Sequence, residues 1–321
     1  MSRGTLIYIG QRVLLIIVTL LVVSFGVFAA VHSLPGNAFI SEHLHGAALQ
    51  SVLHQYGLDR PIVIQYWDFL RNAVHGDLGQ SFVIQGEAIT PLVLRELSVS
   101  MELGGAALII TVGLGMLFGV LAAMRQNSWV DYTLTTIAVI GYSVPSFVLA
   151  TLGILLFALA LPDWTFSLFG TSIGYPLRWS GTYGDIVQLS LPAISLGFYT
   201  SGQVTRITRA AMLDVVQQDY IRTARAKGLK TRVVTIRHAL RNAMVPVTSI
   251  LGPLIVSIIA GSVVIENIFG IPGLGKEFTQ SILTRDYNIV IGVFTIYAGL
   301  IGLANLTVDL LYTVIDPRIR Y

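Results

Sequence analysis

The sequence predicts an all-α integral membrane protein with six transmembrane helices and both termini on the cytoplasmic side, and three observations carry that prediction. First, 54% of the 321 residues are apolar, only 12% are charged, and the mean hydropathy is +0.74, whereas a soluble domain carries about 25% charged residues. Second, six runs of 20 or more residues contain no Asp, Glu, Lys or Arg: residues 13–41, 103–124, 132–162, 186–205, 242–265 and 287–308. A helix needs about 20 residues to cross about 30 Å of hydrocarbon, where no lipid-exposed amide can stay unpaired. Third, the cations are unevenly shared. With six crossings, Arg3, Arg12, Arg125, the nine basic residues from Arg206 to Arg241, Arg318 and Arg320 fall on one side, fourteen of the twenty Lys and Arg. Basic loops stay in the cytoplasm, so that side is the inside.

The net charge of +3 and pI of 9.2 therefore reflect topology, not nucleic-acid binding. The absence of Cys excludes disulfides and thiolate metal ligands.

The first run lacks a small-residue cleavage site behind a short apolar core and reads as a retained helix over about 11–32. Residues 34–98 form an outside segment expected to fold as small helices on the membrane surface. Within it, "YGLDRPIVIQYWDFLRNAVHGDLGQSF" places Pro61 at a helix start after Asp59, puts Ile64, Trp67, Phe69 and Leu70 on roughly one face, and ends at His75-Gly76.

Helix two, about 99–124, carries Gly104, Gly105, Gly113, Gly115 and Gly119; the Gly115/Gly119 pair allows close helix approach and is read as intramolecular packing. Helices three (133–161), four (186–206) and five (242–265) are interrupted by Pro145, Pro192, Pro246 and Pro253, breaks that survive where neighbouring protein or water satisfies the freed carbonyls. Helix four is the weakest span. Its Gln188, Tyr199, Thr200, Ser201 and Gln203 suit a helix surrounded by others and facing an aqueous path. The polar positions of helices three to five, Tyr142, Ser143, Ser146, Tyr199 and Gln203, are the expected lining of that path. Helix six covers about 287–310, and residues 316–321 form a cytoplasmic tail.

The inside segment 207–241 is the most unusual. Helical periodicity runs through Ile207, Ala211, Val215 and Tyr220, breaks at Gly228 and resumes with Val233, Ile236 and Leu240. Cations near anionic headgroups contribute about 1 kcal/mol each, so a lipid patch is one reading. Asp219, Tyr220, Thr223 and Ala224 set between the cations favour a docking surface.

The segment "QDYIRTARAKGLKTRVVTIRHALRNAMVPV" resembles the cytoplasmic coupling segment of binding-protein-dependent ABC importer permeases, in the branch that carries peptides and nickel. The general pattern is Glu-Ala-Ala, three residues, Gly, nine residues, Ile-x-Leu-Pro. Here Arg222, Thr223 and Ala224 stand in the first places, Gly228 at the glycine, and His238, Ala239, Leu240 and Arg241 in the last four; only Ala224, Gly228 and Leu240 fit. The departures match the peptide branch, as do "LPGNAF", "YGLDRPIVIQYWDFL", "GDLGQS", "SWVDY", "IENIFGIPGLG" and the terminal "DPRIRY".

This resemblance implies the type I ABC importer permease fold, with residues 99–315 as the transmembrane domain. It also implies a second homologous permease subunit, two ATPase subunits and an external lipoprotein that binds the substrate. A short helix around Asp219, Tyr220, Arg222, Thr223, Ala224, Arg225 and Lys227 would seat in a cleft of the ATPase, and Gly228 would turn the chain out of it. The cargo implied is a di- or oligopeptide, with nickel or another small solute as the alternative in the same branch. No cofactor is expected in this chain; ATP and Mg belong to the partner subunits.

Other chemistry fits the sequence less well. Gly270, Gly275 and Lys276 have P-loop spacing, but Glu277 occupies the place of the magnesium-binding Ser or Thr and the stretch falls outside. It is expected instead to fold back toward the outer mouth, with Glu266 and Glu277 nearby. His43 and His45 offer a His-x-His pair without a completing ligand set beyond Glu42, so no metal site is assigned. Glu102 and Asp309 lie near the ends of their helices and no carboxylate sits mid-run, which argues against a proton-driven secondary transporter. A scaffold that anchors cytoplasmic proteins without carrying anything is the other rival.

Overall fold

The computed structural model describes residues 3–33, 50–51, 53–54, 57–84, 86–160, 166–168, 171–173 and 186–315. The His43/His45 pair, "LPGNAF" and the tail 316–321 lie outside these. The described residues are overwhelmingly helical and divide into two compact units. One combines 1–99 with 272–303, the other 100–271 with 304–321.

In the first unit, α1 (Arg3–Ser33) meets α2 (Ile62–Val74), and α3 (Ile89–Met124) contributes its residues 89–99. The α11 helix (Leu274–Thr284) and the first part of α12 (Tyr287–Ile315) complete it. Leu78, Ile89, Leu92, Val93, Leu274, Ile289 and Val293 form its core. The carboxylate of Asp286, fully buried, ties two distant segments together. It accepts from the Ser81 hydroxyl and from the Phe82 and Val83 amides at 3.3 and 3.2 Å, while Asn288 Nδ2 donates to the Gln80 carbonyl at 3.0 Å. Removing a buried acceptor strands its donors at about 1–3 kcal/mol each. Asp286→Ala is therefore expected to destabilise this unit by about 2–3 kcal/mol, read as faster hydrogen exchange at Phe82 and Val83.

Burial first, and then the nearby Asp286 carboxylate, hold the Glu277 carboxyl above the usual range, against the opposing charges of Arg95 and Lys276. The folded state thus grips this proton more tightly than the unfolded chain. Its stabilising contribution is complete below the unfolded pKa and is lost as pH rises through the folded one. Glu277→Gln should raise the melting temperature at about pH 8 and leave it unchanged at about pH 3.5.

In the second unit, α3 continues to Met124, and α4 (Trp129–Ser143) and α5 (Ser146–Ile154) follow. The expected interruption at Pro145 is a 97° bend between α4 and the Ser146–Phe157 stretch. A π-helical turn, Leu155–Ala160, ends that arm. A three-residue hairpin, β1 (Phe166–Leu168) paired antiparallel with β2 (Thr171–Ile173), is a small departure from the all-α expectation.

The centre of this unit is α6 (Ile186–Val216), against which α4, α5, α9 (Arg241–Ser249, which follows the single turn α8, Thr231–Val233) and α10 (Leu251–Phe269) all pack. Pro192 lies inside α6 without breaking it. The break near Pro253 instead falls at Ile250, between α9 and α10, because proline at 253 has no amide to bond the carbonyl of Ser249. Pro246 likewise sits within α9.

Small residues set how closely these helices approach. A Cβ at Gly119 would lie 2.5 Å from Thr208 Cβ and 2.8 Å from the Thr205 carbonyl oxygen, and one at Gly115 would collide with Val204. On the other side of α6, a Cβ at Gly202 would run into the Ala138 carbonyl oxygen and stand 2.8 Å from Tyr142 Cβ. The Gly115/Gly119 pair therefore packs α3 onto α6 within this chain, as expected.

Four described helices, Ile7–Ser33, Ile89–Met124, Leu251–Phe269 and Tyr287–Leu310, are long and apolar enough to cross a membrane, and the bent pair at Pro145 makes a fifth. The sixth predicted span, α6, does not pass on composition because it is polar. Its hydroxyls bond back to its own turns: Ser195 to Leu191 at 2.8 Å, Ser201 to Phe198 at 2.7 Å and Thr205 to Ser201 at 2.9 Å. Thr111 of α3 meets Thr200 at 2.5 Å. A helix whose hydroxyls mostly bond its own turns and which is packed among neighbours has little requirement for an apolar surface.

Candidate functional site: the coupling helix and the polar cleft

After α6 the chain turns at Gln218 into α7 (Asp219–Ala226). Ile221 and Ala224, three residues apart and so on one face, are buried in a cluster with Ala123, Ala211, Met212, Val234, Ala239 and Ala243. The other face is exposed: Asp219, Tyr220, Arg222, Thr223, Arg225, Lys227 and Gly228. Arg222 pairs with Asp219 at 3.6 Å in full solvent contact, a pair of little energetic weight. Gly228 has φ +77°, and its amide and that of Leu229 bond to the Arg225 and Ala224 carbonyls at 2.9 and 3.4 Å, closing the helix in the left-handed turn foreseen for this glycine.

Two sequence readings change here. Ala224, placed in the docking set, belongs to the anchor and not to the exposed surface. The expected inward positions Val233, Ile236 and Leu240 are replaced: Val234 and Ala239 are buried, Val233 and Ile236 are exposed, and Leu240 is half-buried. The reason is the π-helical stretch Val234–Leu240, which adds residues to each turn and shifts the inward face.

Sequence reasoning missed Ile221 as the anchor and Asn242, whose Nδ2 donates to Tyr220 Oη at 2.7 Å and ties α7 to α9. It also missed the pair beneath. Arg209 on α6 donates through Nε and Nη2 to the two oxygens of Asp131 on α4, both at 2.7 Å, with the Asp131 side chain 3% exposed. The Asn127 amide, at φ +60°, gives Asp131 a third donor at 3.0 Å. The one signal in the sequence is Ser128, whose side chain caps α4 by accepting from the Asp131 amide.

Tyr142, Ser143, Ser146 and Tyr199 line one open cleft of about 390 Å³ within the second unit. The tyrosine rings stack 5.6 Å apart at 12°. Pro145, Leu196, Ser257, Ala260 and Gly261 complete the lining, and Gln203 is not part of it. Pro145 shapes the cleft: by bending the chain it leaves the two serines flanking it beside the stacked rings.

The remaining motifs resolve locally. Gly270, at φ +68°, is the left-handed cap of α10, and Gly273–Glu277 opens α11, so "GIPGLGKEF" joins two helices, whereas a phosphate loop follows a strand. Glu266, expected at the outer mouth, is fully buried and accepts from Ser100 Oγ at 2.8 Å. Gly170 to Gly174 has the Gly-x-Ser-x-Gly spacing of a hydrolase elbow, but Ser172 pairs with Ser167 in mid-hairpin, far from the strand-to-helix turn such a nucleophile needs.

Membrane-crossing helices around a polar cleft, with a cationic helix held out on an apolar anchor, define a polytopic transport component. The family model for binding-protein-dependent transport system inner membrane components matches residues 115–321, and that for the N-terminal part of such membrane components matches 5–95. The dipeptide transport system permease protein DppB of Bacillus subtilis is 38% identical over 314 residues, covering 98% of this chain and 97% of its own. The oligopeptide transport system permease protein OppB of Escherichia coli is 39% identical over 315 residues, covering 98% and 99%. A chain of the MetNI methionine ABC transporter in its inward-facing conformations shares the fold at TM-score 0.51 and 17% identity, over 71% of this chain and 96% of that one. This chain belongs to the family of binding-protein-dependent transport system inner membrane components and is a multi-pass inner-membrane protein.

Proposed function

We propose that the chain is the permease subunit of an ATP-driven importer of di- or oligopeptides, working with a second homologous permease, two ATPase subunits and an external binding protein. The peptide relatives, similar over nearly the whole chain, support the cargo. In this reading α6 also spans the membrane, as the fourth of six crossings, both termini are cytoplasmic, and ATP and Mg are held by the partners.

The observation that carries the proposal is α7. Ile221 and Ala224 seat it in the bundle while Tyr220, Arg222, Arg225 and Lys227 stand outward, so a push on the exposed face reaches the helices through the anchor. ATPase closure then rocks α6 and its neighbours, and the cleft at Tyr142 and Tyr199 lies on the path so opened. The permease exposes substrate alternately to the two sides, and hydrolysis happens elsewhere.

Proteoliposomes holding the permeases and ATPases, with binding protein and a labelled tripeptide on the binding-protein side, test this. ATP-dependent accumulation is expected, abolished by Arg225→Glu combined with Lys227→Glu. Uptake that persists without the ATPases and collapses with a proton uncoupler would replace this reading by secondary transport. ATPase binding with no uptake of tripeptide would reduce the chain to a scaffold.

A further inference from the structure

The α2 helix presents three distinct faces. At 100° per residue, Tyr66, Phe69 and Ala73 share the first. Tyr66 Oη donates to the Leu21 carbonyl at 3.1 Å and lies 2.9 Å from Ser24 Oγ, and its ring stands edge-on to Phe25 and Phe28, 5.1 and 5.4 Å between centroids. Phe69 adds a tilted contact with Phe28 at 6.3 Å. The second face, about a quarter turn away, holds Val63, Trp67, Leu70 and Val74; Val63, Trp67 and Val74 are 67%, 68% and 84% exposed. The third, half a turn from the second, holds Gln65, Asp68 and Asn72. The helix is thus apolar where it is most exposed and polar directly opposite.

The level of this stripe follows from α1. Phe28 lies twenty residues beyond Tyr8, about 30 Å along a helix at 1.5 Å per residue, which matches the hydrocarbon thickness of a bilayer. Tyr8 accepts from Arg12 Nε at 2.9 Å, an aromatic and basic pair of the kind that marks one membrane edge. Tyr66 and Trp67 stand at the other. The outer surface of α1 below them, Val18, Leu21, Val22 and Phe25, is exposed and apolar, so the lipid-facing stripe of a spanning helix runs on into that of α2. Arg71, beside the stripe, is exposed and suited to a phosphate headgroup.

We propose that α2 lies in the lipid interface at the Phe28 end of α1, with Val63, Trp67 and Val74 in the acyl-headgroup boundary and Gln65, Asp68 and Asn72 toward water. Lipid there fixes the segment following α1 at a set height above the hydrocarbon. The proposal goes beyond the transport reading, which supplies only the name of the leaflet, the outer one.

The chain has no Cys, so nitroxide labels at Val63→Cys, Trp67→Cys, Val74→Cys and Asn72→Cys report single sites in the full chain. The protein, assembled with its partner subunits, is placed in bilayers of phosphatidylethanolamine and phosphatidylglycerol. Collisions with oxygen are expected to exceed those with a water-soluble nickel chelate several-fold at 63, 67 and 74, and the order to reverse at 72. A chelate preference at all four would overturn the proposal, as would labels at 63 and 74 shielded from both reagents, the mark of a protein covering that face. Peptide uptake is measured separately, and its failure leaves the depth result intact.

Discussion

Asp131→Ala is expected to be the most damaging single substitution in the chain, destabilising the second unit by about 3 kcal/mol, because it leaves the half-buried Arg209 guanidinium without its carboxylate. The geometry justifies the size. Both oxygens are engaged at 2.7 Å, the Asp131 side chain is 3% exposed and the Arg209 side chain 28%, so water can replace only part of what is lost. Arg209→Met should cost a similar amount, leaving the anion stranded.

If the charge pair and not its packing is responsible, Asp131→Leu with Arg209→Met should recover most of the loss, since apolar replacement of a whole buried pair is often neutral. Thermal unfolding in detergent of the original chain, Asp131→Leu, Arg209→Met and the double variant reads the pair as a double-mutant cycle. A mechanical role separates from a stabilising one in the double variant: folded protein returns, but peptide uptake per ATP hydrolysed stays low. Arg209 lies two turns before the end of α6, which leads into α7, so the pair is placed to hold the base of the coupling helix while it is pushed.

Gly202→Val should rank next, with a loss of nearly that size. Its new Cβ meets the Ala138 carbonyl oxygen, and a Cβ fixed against backbone leaves no flexible end to give way. Gly119→Val meets Thr205 and Thr208 in the same manner. The contrast lies on the same helix as Gly119. Gly105 and Gly113 have nothing within 4 Å of an added Cβ, and alanine there should be neutral or stabilise by about 0.4–1 kcal/mol through reduced freedom of the unfolded chain. Equal losses at Gly113 and Gly119 would show that helix propensity, not close approach, explains these glycines.

What the sequence disclosed followed from local pattern. Apolar runs located the long helices because lipid imposes both length and composition, and α6, the weakest of the runs, is packed among its neighbours as its polar residues suggested. Gly228 was legible because one residue's conformation decided the turn, and Tyr142, Ser143, Ser146 and Tyr199 because polar groups in apolar runs have few places to go. Gln203 shared the pattern but not the cleft.

Contacts across long separations stayed hidden. Nothing near Asp131 points to Arg209, 78 positions away, and nothing near Ser81 points to Asp286. Local geometry misled as well. The π-helical turn moved the inward face to Val234 and Ala239, and the break expected at Pro253 fell at Ile250 while Pro192 left its helix whole. In α2, Phe69 turned toward the core while Ile64 and Trp67 stayed outside and Leu70 is half-buried, because Tyr66 reaches α1 and sets the rotation of the helix.

The account stands on α7 facing the cytosol and receiving the ATPase. Arg225→Cys supplies a unique thiol in a chain that has none. A membrane-impermeant maleimide should fail to label it in intact cells, label it after the membrane is opened, and fail again when purified ATPase subunits are added back. Labelling in intact cells would place α7 outside and contradict the account.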